Sequence, residues 1–251
     1  MRRAVGAAAP VRADLGVNVS LPLWTILIPT IGRRRDKLRQ LVRELLVQAE
    51  PRLGAVRVLA HYNQGERPLS EIRQALVEAA TGLYVSFVDD DDRVPGYYVQ
   101  QVRTAIHEYA SWETTWPGPG TICVLPDQVG WRMQHYADGV PSKPTYHSLQ
   151  YGGWSDDEQG YYRDISHLNP VRRALALRAD FRRGDPPEDV SWAVQMREHV
   201  HTEARISDEY VMYHYYSSGD STWRPGSIKH DGGVRPVIEH PLFDWHPESS
   251  A

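Results

Sequence analysis

The chain opens its legible part with a short apolar run, Trp24 to Ile28, closed by Pro29, and then changes period. Leu38, Leu41, Val42, Leu45 and Leu46 recur at the spacing of one helix face, which predicts an amphipathic helix over about 34–48. A second apolar run, 56–60, predicts a strand, and Ile72, Ala75, Leu76, Ala79 and Ala80 predict a second helix ended by Gly82. The next run, LYVSFV over 83–88, reads as a buried third strand, and Val99, Val102, Ile106 and Tyr109 predict a third helix. This strand and helix alternation predicts parallel strands in an α/β sheet. Beyond residue 112 the period weakens. The expectations there are a strand over 121–126, an irregular stretch over 127–162, short helices over 170–177 and from about Pro186, and a last strand over 210–216.

A chain of 251 residues suits one large domain, with 41% hydrophobic and 24% charged residues, so neither disorder nor a membrane protein is expected. No apolar run approaches the roughly 18 residues that span a bilayer. Residues 1–22 are expected to be a flexible tail without a signal core, and 225–251 a tail wrapping the body. Between them, 23–126 and 127–224 are expected to form two halves of the domain. Cys123 is the only cysteine, which excludes an internal disulfide and agrees with a reducing, cytoplasmic compartment. The formal charge of -4 leaves no global polycation for nucleic acid. Nothing in the sequence calls for an obligate protein partner.

Four carboxylates, Asp89 to Asp92, follow the third strand without a break. Adjacent ionised carboxylates repel, so a cation or a set of donors has to compensate them unless the run is a solvated loop. Mg²⁺ or Mn²⁺ meets that need through one or two carboxylates, water and substrate phosphate. An EF-hand does not fit, because Pro95 and Gln100 fall where its ligands belong, and no GxxxxGK[ST] loop accompanies the strand.

The order of a strand ending in Pro29-Thr30, a helix, a strand, a helix ending Ala79-Ala80-Thr81-Gly82 and a strand running into FVDDDD resembles the nucleotide-binding half of GT-A glycosyltransferases, particularly the inverting family 2. Residues 24–96 carry the resemblance, with a weaker second part over 185–219. It implies a Rossmann-like single domain whose mostly parallel central sheet is flanked by helices. It also implies transfer of a sugar, hexosyl or related, from a nucleoside diphosphate sugar, a UDP-sugar first, with Mn²⁺ or Mg²⁺. Asp89 and Asp91 correspond to the paired positions of the Asp-x-Asp motif. The resemblance makes them metal ligands, with Asp89 and the supporting Asp90 also against the donor. Pro29, Thr30 and Gly32 would meet base and ribose, Arg33 phosphate, and Asn63 a pyrimidine edge. Arg73 stands where the family often carries a donor-binding cation, although a solvated helix charge fits it equally. His214 would be a late metal ligand or a packed strand histidine.

The resemblance makes Asp189 the catalytic base, next to Glu188, which a capping box begun by Asp185 and Pro186 would also explain. The acceptor would be a hydroxyl on a glycan, a lipid-linked sugar or modified DNA. Arg172, Arg173, Arg178, Arg182 and Arg183 would suit a phosphate-bearing acceptor if they converge, and a solvated surface if they do not. Trp131, Tyr136, Tyr146, Tyr151, Trp154, Tyr161 and Tyr162 are suited to stacking. Two other readings of the acidic run compete: a haloacid-dehalogenase-like phosphatase, because Asp90-Asp91-Asp92-Arg93-Val94 fits Asp-x-Asp-x-[Thr/Val], and a non-catalytic nucleotide-sugar-binding module.

Overall fold

A computed structural model describes residues 22–31, 34–49, 55–63, 65, 67–112, 124–183, 187–217 and 238–239. Gly32 and Arg33, Asp185 and Pro186, and both expected tails apart from Pro22 and the pair 238–239 lie outside them.

The first half follows the periodicity. Strand β1 (Trp24–Ile31) is followed by α1 (Arg35–Ala49), β2 (Val56–Asn63), α2 (Leu69–Ala79), β3 (Tyr84–Phe87) and α3 (Tyr98–Trp112). β1 lies between β2 and β3 and is parallel to both, as helical crossovers require. Its interior residues Ile26, Leu27 and Ile28 are fully buried, which is why the run shows no polar alternation. Trp24 donates its indole N–H to Ser86 Oγ at 3.1 Å and packs against Tyr98, whose ring in turn meets Trp131. That aromatic line joins the two halves of the core.

Helix α2 stops at Ala79 with Ala80 as its cap, so Gly82 does not end it as expected and is a glycine for a steric reason instead. Its N–H donates to Thr25 Oγ1 at 2.9 Å, and a Cβ there would lie 2.6 Å from the backbone nitrogen of Thr25. Gly82→Ala is therefore expected to destabilise the fold by roughly 1–3 kcal/mol, read by chemical denaturation. A change within 0.5 kcal/mol would mean that the chain withdraws there without cost.

The second half departs from expectation. Val124 to Pro126 are not a strand, and Thr121 to Cys123 lie outside the described residues. The stretch expected to be irregular instead holds the longest strand among the described residues, β4 (Gln128–Ala137), with β5 (Val140–Pro141), β6 (Thr145–His147), β7 (Trp154–Asp156) and β8 (Tyr161–Arg163). Val129, Trp131 and Met133 alternate inward along β4, a period of two that Gly130 and the polar residues around it obscure. Only the end of the expected helix over 170–177 is helical. Val171–Arg172 forms β9, which pairs antiparallel with β3 and β4 and links the halves, before the short α4 (Arg173–Ala176). Helix α5 (Glu188–Met196), β10 (Glu203–Arg205) and β11 (Val211–Ser217) follow, and both strands run parallel to β4. Two residues of the expected C-terminal tail, β12 (Ile238–Glu239), add antiparallel to β2. The sheet order is β12-β2-β1-β3-β9-β4-β6-β8-β7, with β5, β10 and β11 also on β4. The sheet is parallel around β1 and mixed beyond β3.

Candidate active site

Because β1 and β3 are parallel neighbours, their carboxyl ends open on the same edge, where open α/β sheets bind ligands. The four aspartates sit there, and the fold gives each a different partner. Thr30, at the end of β1, donates its hydroxyl to Asp90 Oδ2 at 2.6 Å. Arg34 forks across two acids, with Nη1 2.9 Å from Asp90 and Nη2 2.8 Å from Asp91. Asp92 accepts the Tyr213 hydroxyl at 2.8 Å and the Tyr216 N–H at 2.8 Å, while the Asp89 N–H donates to the same Tyr213 oxygen. The first turn of the run and strand β11 are thus tied together.

Asp89 and Asp91 are the two that stay open to solvent, at 24% and 23% side-chain exposure. Burial raises both carboxyls above the usual range, Arg73 and Arg34 oppose it respectively, and neighbouring aspartates add to it. Asp92 is raised well above that range by burial and by Asp89, against the two donors that hold it. Asp90 is only 3% exposed and both of its oxygens are engaged. It is therefore less open than Asp89 and Asp91 to serve as the nucleophile that the phosphatase reading requires.

Arg73 holds the centre of the site. It is 6% exposed, with Nη2 3.3 Å from Asp89 and Nη1 3.1 Å from Glu188. Its guanidinium joins two carboxylates across the cleft and is not a solvated helix charge. Glu188 and Asp189 open α5, where the helix N-terminus favours negative charge. The cap is Pro187, with no side-chain cap bond, and Asp185, which the expected capping box needs, lies outside the described residues. Glu188 is 16% exposed and paired, whereas Asp189 is 32% exposed, with His167 Nδ1 3.9 Å from its Oδ2 and with Arg73, Asp89 and Tyr215 within reach of its charge. The helix is seated by Trp192, which stacks on Phe181 at 5.0 Å, and by Gln195, which donates to the Asp180 carbonyl.

Other expected site residues have contacts of their own. Asn63 folds its own loop: its amide donates to the Arg67 carbonyl and accepts from the N–H groups of Gly65 and Arg67. Pro29 lies within β1 opposite His61. His214 alternates with Tyr213 along β11, so its ring takes the face away from the Tyr213 hydroxyl that holds the aspartates. It meets Tyr136 there, Nδ1 to hydroxyl at 3.2 Å. Of the arginines before α5, Arg172 pairs with Asp127, Arg173 donates to the carbonyls of Val77 and Glu78, and Arg182 clasps Asp180. These contacts hold the fold and do not converge on a cleft. Tyr215 was not expected at the site, yet its phenol lies in the field of Asp92, Asp89, Asp91 and Asp189.

The resemblance implies a divalent cation. Among the described residues no three His, Cys, Asp or Glu side chains gather as ligands, and His214 does not supply a third. Asp89 and Asp91, open and electrostatically coupled, fit an ion that takes two protein carboxylates and completes its shell with water and substrate oxygens, as Mg²⁺ commonly does.

Behind the site, His147 on β6 is buried, and burial, with Arg163 and His135 adding to it, pushes its pKa down to about 3. The unfolded chain therefore takes up this proton first. Its contribution is complete above about pH 6.5 and is lost as pH falls toward 3, at up to about 1.4 kcal/mol per pH unit. Denaturation at pH 7.5, 6 and 5 is expected to show that slope, and His147→Gln to remove about that much of it. An unchanged slope in the variant would mean that the ring titrates freely in the fold.

Sheet order, crossovers and an acidic loop at the end of the third strand define an α/β fold of the GT-A type. Comparison with solved structures agrees. Residues 1–349 of S. aureus TarS match at a TM-score of 0.51 and 14% identity, over 77% of this chain and 60% of that one. The same segment in complex with UDP matches at 0.51 and 14%, over 78% and 60%. The likeness is one of fold, and this chain spans 60% of the length of each matched chain. No protein-family model matches the sequence, and no curated protein matches it. Among the described residues no helix is long and apolar enough to cross a membrane.

Proposed function

We propose that the protein is an inverting glycosyltransferase that moves a sugar from a nucleoside diphosphate sugar, a UDP-sugar first, to an acceptor hydroxyl. The observation that carries this reading is the Arg73 bridge, which sets the N-terminus of α5 against the acidic loop and so brings Asp189 to the sheet edge that carries Asp89 and Asp91. The solved TarS complex with UDP, on the same fold, supports the choice of nucleotide.

Asp189 is the base. It accepts the acceptor's hydroxyl proton as that oxygen bonds to the anomeric carbon, and the bond from that carbon to the diphosphate breaks with its electron pair on the leaving nucleotide. One displacement inverts the configuration, and orienting the two substrates is the protein's main task. Asp89 and Asp91 would hold Mn²⁺ or Mg²⁺, which as a Lewis acid neutralises the charge of the departing diphosphate. Arg34 fixes Asp91 in place and Thr30 fixes the turn. The acceptor belongs to the glycan, lipid-linked sugar or nucleic-acid hydroxyls, and a cytoplasmic setting agrees with the single cysteine.

A panel of nucleotide sugars incubated with the chain, with and without EDTA, tests the reading. Slow release of UDP from one UDP-sugar, suppressed by EDTA and restored by Mn²⁺, is expected. Calorimetry in which neither UDP nor Mn²⁺, alone or together, binds would overturn it.

A further inference from the structure

Asp189 has one neighbour that the proposed reaction leaves unexplained. His167 lies on the turn before β9, and its carbonyl accepts the Phe87 N–H at 3.0 Å, which fixes it beside the last residue of β3. The ring is 7% exposed and lies between Phe87, with centroids 5.7 Å apart, and the edge of Phe181 at 6.5 Å. Phe181 is stacked on Trp192 of α5. The pocket that holds the imidazole is therefore built partly by the helix that carries Asp189.

The ring has two nitrogens with different surroundings. Nε2 is buried with no hydrogen-bond partner among the described residues, so a proton placed there is an orphaned donor. Nδ1 faces Asp189 Oδ2 at 3.9 Å, and a carboxylate only accepts. The cheaper tautomer carries its proton on Nδ1. We infer that His167 is a positioning residue for Asp189, a fixed Nδ1–H donor that orients the carboxylate. This inference rests on the reading of Asp189 as the base.

A hydrogen bond needs a closer approach than 3.9 Å, and the partner able to move is the open carboxylate. Catalytic hydrogen bonds are often long before substrate binds. The groups facing the ring also keep it a neutral donor. Burial first, then the charges of Arg73, His147 and Arg163, hold its pKa well below the usual value.

The test uses the full chain. In wild type, ¹⁵N-histidine NMR at pH 7.5 is expected to show His167 as the Nδ1–H tautomer, and the Nε2–H tautomer would overturn the inference. ¹³C-carboxyl NMR at pH 7.5 is expected to show the Asp189 carboxyl signal displaced in His167→Leu and returned in His167→Asn, whose amide N–H reaches the place of Nδ1–H. In the sugar-transfer assay kcat is expected to fall by about ten- to a hundredfold in His167→Leu, the cost of a misplaced base. His167→Asn restores most of kcat, and the donor KM is unchanged in both. Equal loss in both variants, in chains that melt like wild type, would show a packing role and overturn the proposal. If wild type consumes no nucleotide sugar, the enzymatic reading fails, and the two NMR measurements still decide whether His167 holds Asp189.

Discussion

Asp189→Asn is expected to lower kcat for sugar transfer by about 10²–10⁴, the usual worth of a positioned general base, with the donor Kd within a few-fold of wild type. The split follows from position. Asp189 is the more open acid of the pair at the start of α5, while the contact to the acidic loop runs through Glu188 and Arg73. An amide is nearly isosteric with the carboxylate but accepts no proton. Since the side chain is a third exposed and makes no short hydrogen bond among the described residues, the fold should lose less than about 1 kcal/mol. Steady-state rates beside calorimetric titration of UDP measure both quantities. An equal loss of transfer and of UDP binding would place Asp189 in the donor site and end its assignment as the base.

Arg73→Met should have the largest effect on stability. The arginine is nearly fully buried, bridges Asp89 and Glu188, and lies 5.7 Å from the centroid of the Phe87 ring. Methionine keeps much of the volume but leaves two carboxylates facing each other without a cation. Breaking such a buried pair costs about 3–5 kcal/mol, a fall in Tm on the order of 10 °C for a chain of this size. Glu188→Gln added to Arg73→Met should recover part of that loss, because it removes one of the stranded charges, and a double-mutant cycle measures the coupling. Arg73→Lys should fall between, since an ammonium cannot fork to two acids as a guanidinium does. A single Arg73→Met variant within 1 kcal/mol of wild type would mean that water already screens the pair.

The two effects are separable in principle. Asp189 acts on the reaction with little stake in the fold, and Arg73 acts on the fold and, through it, on the distance between the acidic loop and α5. Loss of activity in Arg73→Met should accordingly track loss of structure, whereas Asp189→Asn should melt like wild type.

Much of the first half was legible because its elements follow one another along the chain and each carries an unmixed period. β1 and β3 read as continuous apolar runs because both of their faces are covered. The second half was not, since β5 to β9 are two or three residues long and exist only through pairing with distant strands. Short strands carry too few residues for alternation to show. β4 carried a real signal in Val129, Trp131 and Met133, masked by a glycine and by polar residues that face outward.

At the site, the sequence by itself determined which acids lie at a strand end and which open a helix, because both facts depend only on neighbours in the chain. It determined nothing about which cation or hydroxyl each acid meets. Arg34 on Asp90 and Asp91, Arg73 on Asp89 and Glu188, Tyr213 on Asp92 and His167 beside Asp189 all depend on how the chain returns to the same sheet edge. The tertiary structure alone decided that His214 faces Tyr136 while Tyr213 reaches the aspartates, because a strand turns alternate side chains to opposite faces and only pairing with β4 sets which face is which.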